Sequence, residues 1–208
     1  MTTKPQMRLH WSPRSPFVRK VMIAAHELGL ADQIETMRTR VAMNEVHRGL
    51  LSDNPIGKIP TLLLADGTIL YDSLVICEYL DSIAPGRRIF PAAGPKRFEA
   101  LRRHALGNGY LDMLILWRFE GTRPTPSAGM VEGFQAKHVA TLDALEAEVP
   151  ALTKDDFGIG HIAIACALSY LDFRFDALKW RDGHPALAAW HAAAAARPSF
   201  VATTVVDD

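Results

Sequence analysis

The sequence predicts an α/β domain followed by an all-α domain. Up to about Ala84, short strand-like runs alternate with helical stretches, whereas after Pro95 the apolar spacing is almost wholly helical and the chain is rich in alanine. Between them, residues 85–95 (PGRRIFPAAGP) hold three prolines and two glycines in eleven positions, a composition typical of a linker. We therefore predict domains at residues 1–84 and 96–208, joined by a linker at 85–95.

The first domain is predicted to follow the order β-α-β-α-β-β-α. Its strand candidates are 7–11, 33–38, 61–64 and 69–71, and its helix candidates are 16–28, a short segment within 43–51, and 73–83. Pro16 opens the first helix, where its missing N–H costs nothing, and Gly29 stops it. Asp66-Gly67 is the centre of a hairpin turn between the last two strands. Because helices link the earlier strands, which favours parallel pairing, we expect a mixed four-stranded sheet with three helices.

The second domain is predicted to contain four or five helices. They are expected at about 96–120, at 127–149 with Pro150 ending the helix, at 159–173 as a buried helix, and at 185–196. Gly107 and Gly109 are candidate weak points of the first of them. At the start of the buried helix, Gly158 can cap but has no side-chain acceptor, so Thr153, Asp155 or Asp156 are the candidates to replace it.

Charge and cysteine content narrow the class of protein. The 208 residues include 23 Lys and Arg and 23 Asp and Glu, and this balance weighs against nucleic acid as the main partner. The two cysteines, Cys77 and Cys166, lie in apolar runs and suit a reducing compartment. The first residues contain no apolar stretch of signal-peptide length, and the most apolar run, 162–168, is too short to cross a bilayer. We expect a soluble, cytoplasmic protein without a membrane partner.

Ser15 is a candidate for binding an anion. It precedes Pro16 at the predicted start of a helix, so its hydroxyl lies among unpaired backbone N–H groups at the positive end of the helix dipole. A thiolate is one anion that such a position stabilises. The alternative is that Ser15 only caps the helix.

Two further segments carry binding features. Pro60 comes just before a strand and can be cis, which would leave the N–H and C=O of Ile59 free to pair with an extended peptide, while Lys58 could meet a carboxylate. Asp72 could accept from an ammonium group, and Ser73 with the free N–H groups behind it could hold a carboxylate, a combination that suits an amino-acid zwitterion. The alternatives are an ordinary loop and an ordinary helix cap.

The sequence shows no motif for phosphate binding, dithiol chemistry or metal binding. The chain contains no glycine-rich phosphate loop and no Cys-x-x-Cys pair, and its eight histidines show no metal-ligand spacing. We predict no metal site.

Taken together, SPRSPFVRK, NPIGKIP and YDSLVICEYL resemble the glutathione S-transferase superfamily, in its serine-type, bacterial-like cytosolic form. The resemblance implies a thioredoxin-like first domain that binds glutathione. It implies that Pro60 is cis, that the Ile59 backbone pairs with the cysteinyl part and that Lys58 meets the glycine carboxylate. Asp72, which is shorter than the glutamate of many members, and Ser73 would hold the γ-glutamyl end.

The resemblance also implies that a serine hydroxyl contacts the glutathione sulfur. Ser15 falls where serine-type members carry the hydroxyl that hydrogen-bonds the glutathione sulfur, and Ser12 is its rival. Because Ser15-Pro16-Phe17-Val18 stands in place of Cys-Pro-x-Cys, dithiol exchange at this position is excluded. The candidates for lining an electrophile pocket, by their position, are Trp11, Arg14, Tyr110 and Trp117.

The function implied is that of a glutathione transferase, with glutathione as co-substrate, its thiolate attacking a small electrophile. The neighbouring alternatives are a glutathione-dependent isomerase or dehalogenase, and a non-catalytic binding protein that keeps the fold. The resemblance further implies a homodimer.

Overall fold

The structure is a computed structural model that describes residues 7–207. These residues divide into two compact units, one made of residues 7–92 together with 202–207, and the other of residues 93–201. None of the helices within residues 7–207 combines the length and apolarity that crossing a membrane requires.

A four-stranded mixed sheet forms the centre of the first unit, as predicted. Its strands are β1 (Met7–Trp11), β2 (Ile34–Arg38), β3 (Thr61–Leu64) and β4 (Ile69–Leu70), arranged in the order β2-β1-β3-β4. Strand β1 runs parallel to β2 and antiparallel to β3, and β3 pairs antiparallel with β4 across the Asp66-Gly67 turn. In this register His10 lies opposite Met37 on one side and Thr61 on the other.

Three helices accompany this sheet. They are α1 (Pro16–Glu27), α2 (Arg48–Leu51) and α3 (Ser73–Ile83). Helix α1 ends where Gly29 adopts a φ of 70°, the left-handed conformation that favours glycine. Helix α2 is a single turn within the predicted segment 43–51, because only Leu50 of its four residues is buried and apolar contacts cannot extend it.

The second unit is helical. It contains α4 (Gly94–Glu120), α5 (Ala128–Lys154), α6 (Ile159–Arg174), α7 (Pro185–Ala195) and α8 (Pro198–Val201). Every residue from 159 to 168 is buried, so α6 is apolar on all sides and forms the core of this unit. Helix α4 runs unbroken through Gly107 and Gly109, the two predicted weak points. A Cβ at Gly107 would lie 2.6 Å from the backbone carbon of Ala163, so this glycine allows α4 and α6 to approach closely.

The predicted stop at Pro150 is wrong, because α5 continues through this proline to Lys154. Proline removes one N–H from the helix, but the last turn is held from outside. Leu152 is 2% exposed, and its carbonyl accepts a hydrogen bond from Nε2 of His161 at 3.1 Å. Tertiary contacts therefore offset the local cost of the proline.

The cap of α6 also differs from the expectation. None of the three upstream candidates supplies it; Asp155 pairs instead with the Arg103 guanidinium at 2.6 Å. Within the described residues no side chain caps the first turn, and His161 contributes only the reciprocal bond of a capping box, in which its Nδ1 accepts from the Gly158 N–H at 3.2 Å. Burial lowers the pKa of His161, against the opposing effect of its bond to the Leu152 carbonyl, so the ring is held in the neutral form that can accept at Nδ1.

Candidate functional site

The sheet topology brings the three predicted segments to one edge. Strand β1 ends next to the beginning of β3, because the two are antiparallel and His10 lies opposite Thr61. Strand β4 also ends beside the beginning of β3, since Leu62 lies opposite Leu70. The loop that follows β1, the loop that precedes β3 and the start of α3 therefore meet at the same edge of the first unit.

Ser15 lies at the start of α1, as its position before Pro16 predicts. It is half-buried, and its Oγ accepts from the Val18 N–H at 3.3 Å. That bond uses a lone pair of the hydroxyl and leaves its hydrogen available to a ligand. The N–H of Phe17 makes no hydrogen bond within residues 7–207, and the first turn holds no acidic residue. The helix N-terminus therefore keeps an uncompensated positive end at this point.

Ser12 lies in the same loop, one turn earlier. It is 7% exposed, its Oγ accepts from the Arg14 N–H at 3.4 Å, and its carbonyl accepts from the Ser15 N–H at 3.2 Å. Ser12 thus shapes the loop that presents Ser15, while Ser15 is the more accessible of the two hydroxyls.

The loop before β3 contains a residue whose peptide groups are unpaired. The Ile59–Pro60 peptide bond is cis. The Ile59 side chain is buried, yet its N–H and C=O make no hydrogen bond within the described part of the chain. An extended peptide could pair with these two groups as an added strand would. The neighbouring Lys58 is exposed and has no carboxylate partner among the described residues.

Asn54 organises this loop, and the sequence reasoning assigned it no role. Its Nδ2 donates to the Lys58 carbonyl and to Thr61 Oγ1, both at 3.0 Å, and its Oδ1 accepts from the Ile56 N–H at 3.0 Å. Asn54 is 2% exposed. The Asn-Pro pair at 54–55 was the available signal, since Asn before Pro favours a turn held by the amide side chain.

Asp72 and Ser73 form the start of α3. Asp72 is exposed, follows a cis peptide bond, and caps the helix through Oδ1, which accepts from the Leu74 N–H at 3.0 Å. Its second oxygen remains open to a cationic group. Ser73 is 2% exposed, and its hydroxyl makes no hydrogen bond within residues 7–207. A carboxylate acceptor and a free hydroxyl thus lie side by side at a helix N-terminus, which suits an amino-acid zwitterion.

The pocket candidates divide between the two units. Trp11 and Arg14 lie at the end of β1 and in the following loop, with Arg14 Nε 3.2 Å from Asp207 Oδ1. Tyr110 is 3% exposed, and its hydroxyl lies 2.6 Å from Nδ1 of His138; burial raises the pKa of this phenol. Trp117 stacks on Phe134 with ring centroids 6.0 Å apart. Tyr110 and Trp117 are therefore core residues of the second unit.

Metal ligands do not cluster in the part of the chain that the structure describes. Residues 7–207 include no group of three or more His, Cys, Asp or Glu side chains placed to hold a metal ion. The groups gathered at the sheet edge are suited to binding a small peptide and to stabilising an anion.

Family profiles match both halves of the chain. Residues 14–83 match "Glutathione S-transferase, N-terminal domain", and residues 131–193 match "Glutathione S-transferase, C-terminal domain". The uncharacterized GST-like protein YibF of Escherichia coli strain K12 is 30% identical over 185 residues, which are 87% of this chain and 90% of that protein.

Solved structures are similar over nearly the whole chain. A glutathione transferase family member from Pseudomonas fluorescens Pf-5, with bound glutathione, is 38% identical with a TM-score of 0.93, and the match covers 97% of this chain and 100% of that one. A second structure from the same organism, with bound S-(propanoic acid)-glutathione, is 37% identical with a TM-score of 0.88, covering 96% and 100%. The chain belongs to the glutathione S-transferase superfamily.

Proposed function

We propose that this protein binds glutathione at the sheet edge and activates its thiol for attack on small electrophiles. The observation that carries the proposal is the unpaired backbone of Ile59, flanked at the same edge by two helix N-termini. Ile59 would pair with the cysteinyl residue of glutathione next to Pro60. Lys58 would meet the glycine carboxylate, and Asp72 with Ser73 would hold the γ-glutamyl end.

Ser15 is the proposed hydrogen-bond donor to the sulfur. A free thiol has a pKa of about 8.5, so only a few per cent is thiolate at neutral pH. Ser15 Oγ–H and the N-terminus of α1 would both favour the charged form, and each pKa unit of lowering corresponds to about 1.4 kcal/mol. The thiolate then attacks the electrophile directly, and Ser15 forms no covalent bond. The burial of Ser12 favours Ser15 over it.

The ligands in two related structures support both glutathione binding and a reaction at its sulfur. One is a structure with glutathione bound, and another holds glutathione with a propanoic acid group on its sulfur. A site of the same kind in this chain would accept glutathione and leave room for a substituent at the sulfur.

Calorimetry and two serine variants test the proposal. The wild-type protein should bind glutathione at or below millimolar concentration. Ser15→Ala should leave that binding largely intact, raise the apparent pKa of the bound thiol and slow conjugation of a small electrophile, whereas the matched variant Ser12→Ala should change the thiol titration less. Unchanged turnover and an unchanged titration in Ser15→Ala would exclude the proposed role of this serine.

The same measurements separate the alternatives. Glutathione binding and thiol activation without conjugation would favour a glutathione-dependent isomerase or dehalogenase, which a substrate screen then distinguishes. A wild-type protein that binds no glutathione at millimolar concentration would favour a non-catalytic binding protein.

We further propose that residues 1–84 are the glutathione-binding domain and 96–208 the helical domain of a cytoplasmic homodimer. Exposed apolar side chains of the second unit offer surface that a second copy could cover, such as Phe98 at 72% and Val139 at 54% exposure. Light scattering coupled to size exclusion should give twice the monomer mass; a monomer at micromolar concentration would contradict the dimer.

A further inference from the structure

A buried histidine lies beside the loop of the proposed glutathione site. The His10 side chain is 10% exposed at the end of β1, with Nδ1 2.8 Å from Thr39 Oγ1 and Nε2 2.9 Å from Asp53 Oδ2. The other histidines of the first unit, His26 and His47, are exposed. Both ring nitrogens of His10 are thus engaged within the protein.

The partners of His10 determine which ring nitrogen donates to Asp53. A carboxylate only accepts, so Nε2 must carry a proton to bond Asp53. The Thr39 hydroxyl lies within hydrogen-bond distance of both Nδ1 and the Met37 carbonyl, and it is able to donate or accept at Nδ1. The network is therefore complete when Nε2–H donates to Asp53 and Nδ1 bonds Thr39.

Asp53 links His10 to the loop before β3. The N–H groups of Asp53 and Asn54 both donate to the Leu50 carbonyl, at 3.0 and 2.7 Å, which fixes the pair rigidly at the end of α2. Asn54 in turn holds the Lys58 carbonyl at 3.0 Å. A displacement of Asp53 would therefore move the peptide groups just before Ile59.

We infer that His10 is a positioning residue for glutathione recognition: its Nε2–H holds Asp53, and through Asn54 it fixes the loop 54–60. The inference rests on the proposed function. His10 touches no ligand in this role and cannot act as a base, because neither ring nitrogen is free.

Calorimetry with S-methylglutathione tests this role, because this probe carries no thiol proton. A Gln side chain has no pair of ring nitrogens with which to bridge Thr39 and Asp53. We therefore expect the affinity of His10→Gln to fall about 10-fold at unchanged stoichiometry, equivalent to about 1.4 kcal/mol. Asp53→Asn keeps an acceptor and should lose less. The double variant should bind no more weakly than His10→Gln, because both changes break one contact. His26→Gln, an exposed histidine on α1, is the matched control and should bind as the wild type does.

The outcomes distinguish this inference from the proposed function. A wild-type protein that binds no S-methylglutathione would overturn the proposed function itself. If the wild-type protein binds S-methylglutathione, and both His10→Gln and Asp53→Asn bind it with the wild-type affinity, the role of His10 is overturned while the proposed function stands. If His10→Gln does not fold, the nitrogen NMR shifts of the wild-type ring decide: a proton on Nε2 agrees with the inference, and an Nε2 without a proton contradicts it.

Discussion

Asn54→Ala should loosen the loop before β3 and destabilise the first unit. The Asn54 side chain is 2% exposed and makes three hydrogen bonds, each at 3.0 Å, to the Lys58 carbonyl, Thr61 Oγ1 and the Ile56 N–H. A typical hydrogen bond contributes about 0.5–1.5 kcal/mol net, so we expect a loss of ~3 kcal/mol. In a protein of this size, that corresponds to a fall in Tm of roughly 6–12 °C.

Urea denaturation measures the free energy of unfolding, and calorimetry of the folded variant measures its affinity for glutathione. Asn44→Ala is the matched control because Asn44 is exposed, and it should change stability by less than about 0.5 kcal/mol. The affinity for glutathione should fall together with the stability of Asn54→Ala. If Asn54→Ala matches Asn44→Ala in both measurements, Asn54 does not organise the loop.

Three further predictions concern stability, each measured by urea denaturation. Gly107→Ala should lower the free energy of unfolding by about 1–3 kcal/mol, because its Cβ would lie 2.6 Å from the α6 backbone. Gly109→Ala has no atom within 4 Å of its Cβ and should raise that free energy by about 0.5–1 kcal/mol. Equal effects of the two variants would contradict the close approach of α4 and α6. Because the fold lowers the pKa of His161 below 6.5, the unfolded chain binds more protons than the folded one in acid. The free energy of unfolding should therefore be highest above pH 6.5 and fall as the pH drops below it. His161→Gln should show a smaller fall, and a pH profile identical to that of the wild type would contradict this. Asp81→Ala should cost about 2 kcal/mol because its Oδ1 accepts from the Ile89 N–H at 2.5 Å, and a loss under 0.5 kcal/mol would show that this bond contributes little.

The sequence predicted most elements of the first unit because their signals are local. Pro16 and Gly29 mark the ends of α1 through backbone preferences that need no tertiary partner. The apolar run Thr61–Leu64 and the Asp-Gly turn after it predicted β3 and its antiparallel pairing with β4. The fold class and the family are confirmed, whereas the roles of the site residues stay predictions.

The features that the sequence did not reveal depend on partners distant along the chain. Pro150 fails to end α5 because His161, eleven residues later, bonds the carbonyl of Leu152. His161 accepts from the Gly158 N–H before α6 only because the fold buries it as a neutral ring. His10 and Asp53 are 43 residues apart, and no local pattern predicts their contact.

The proposed function requires the first unit to bind glutathione and to make its thiol more acidic. Titration of glutathione bound to the wild-type protein, followed by the ultraviolet absorbance of the thiolate, measures this acidity. We expect a midpoint well below the value of about 8.5 for a free thiol. Saturable binding with a midpoint at or above that value would contradict it.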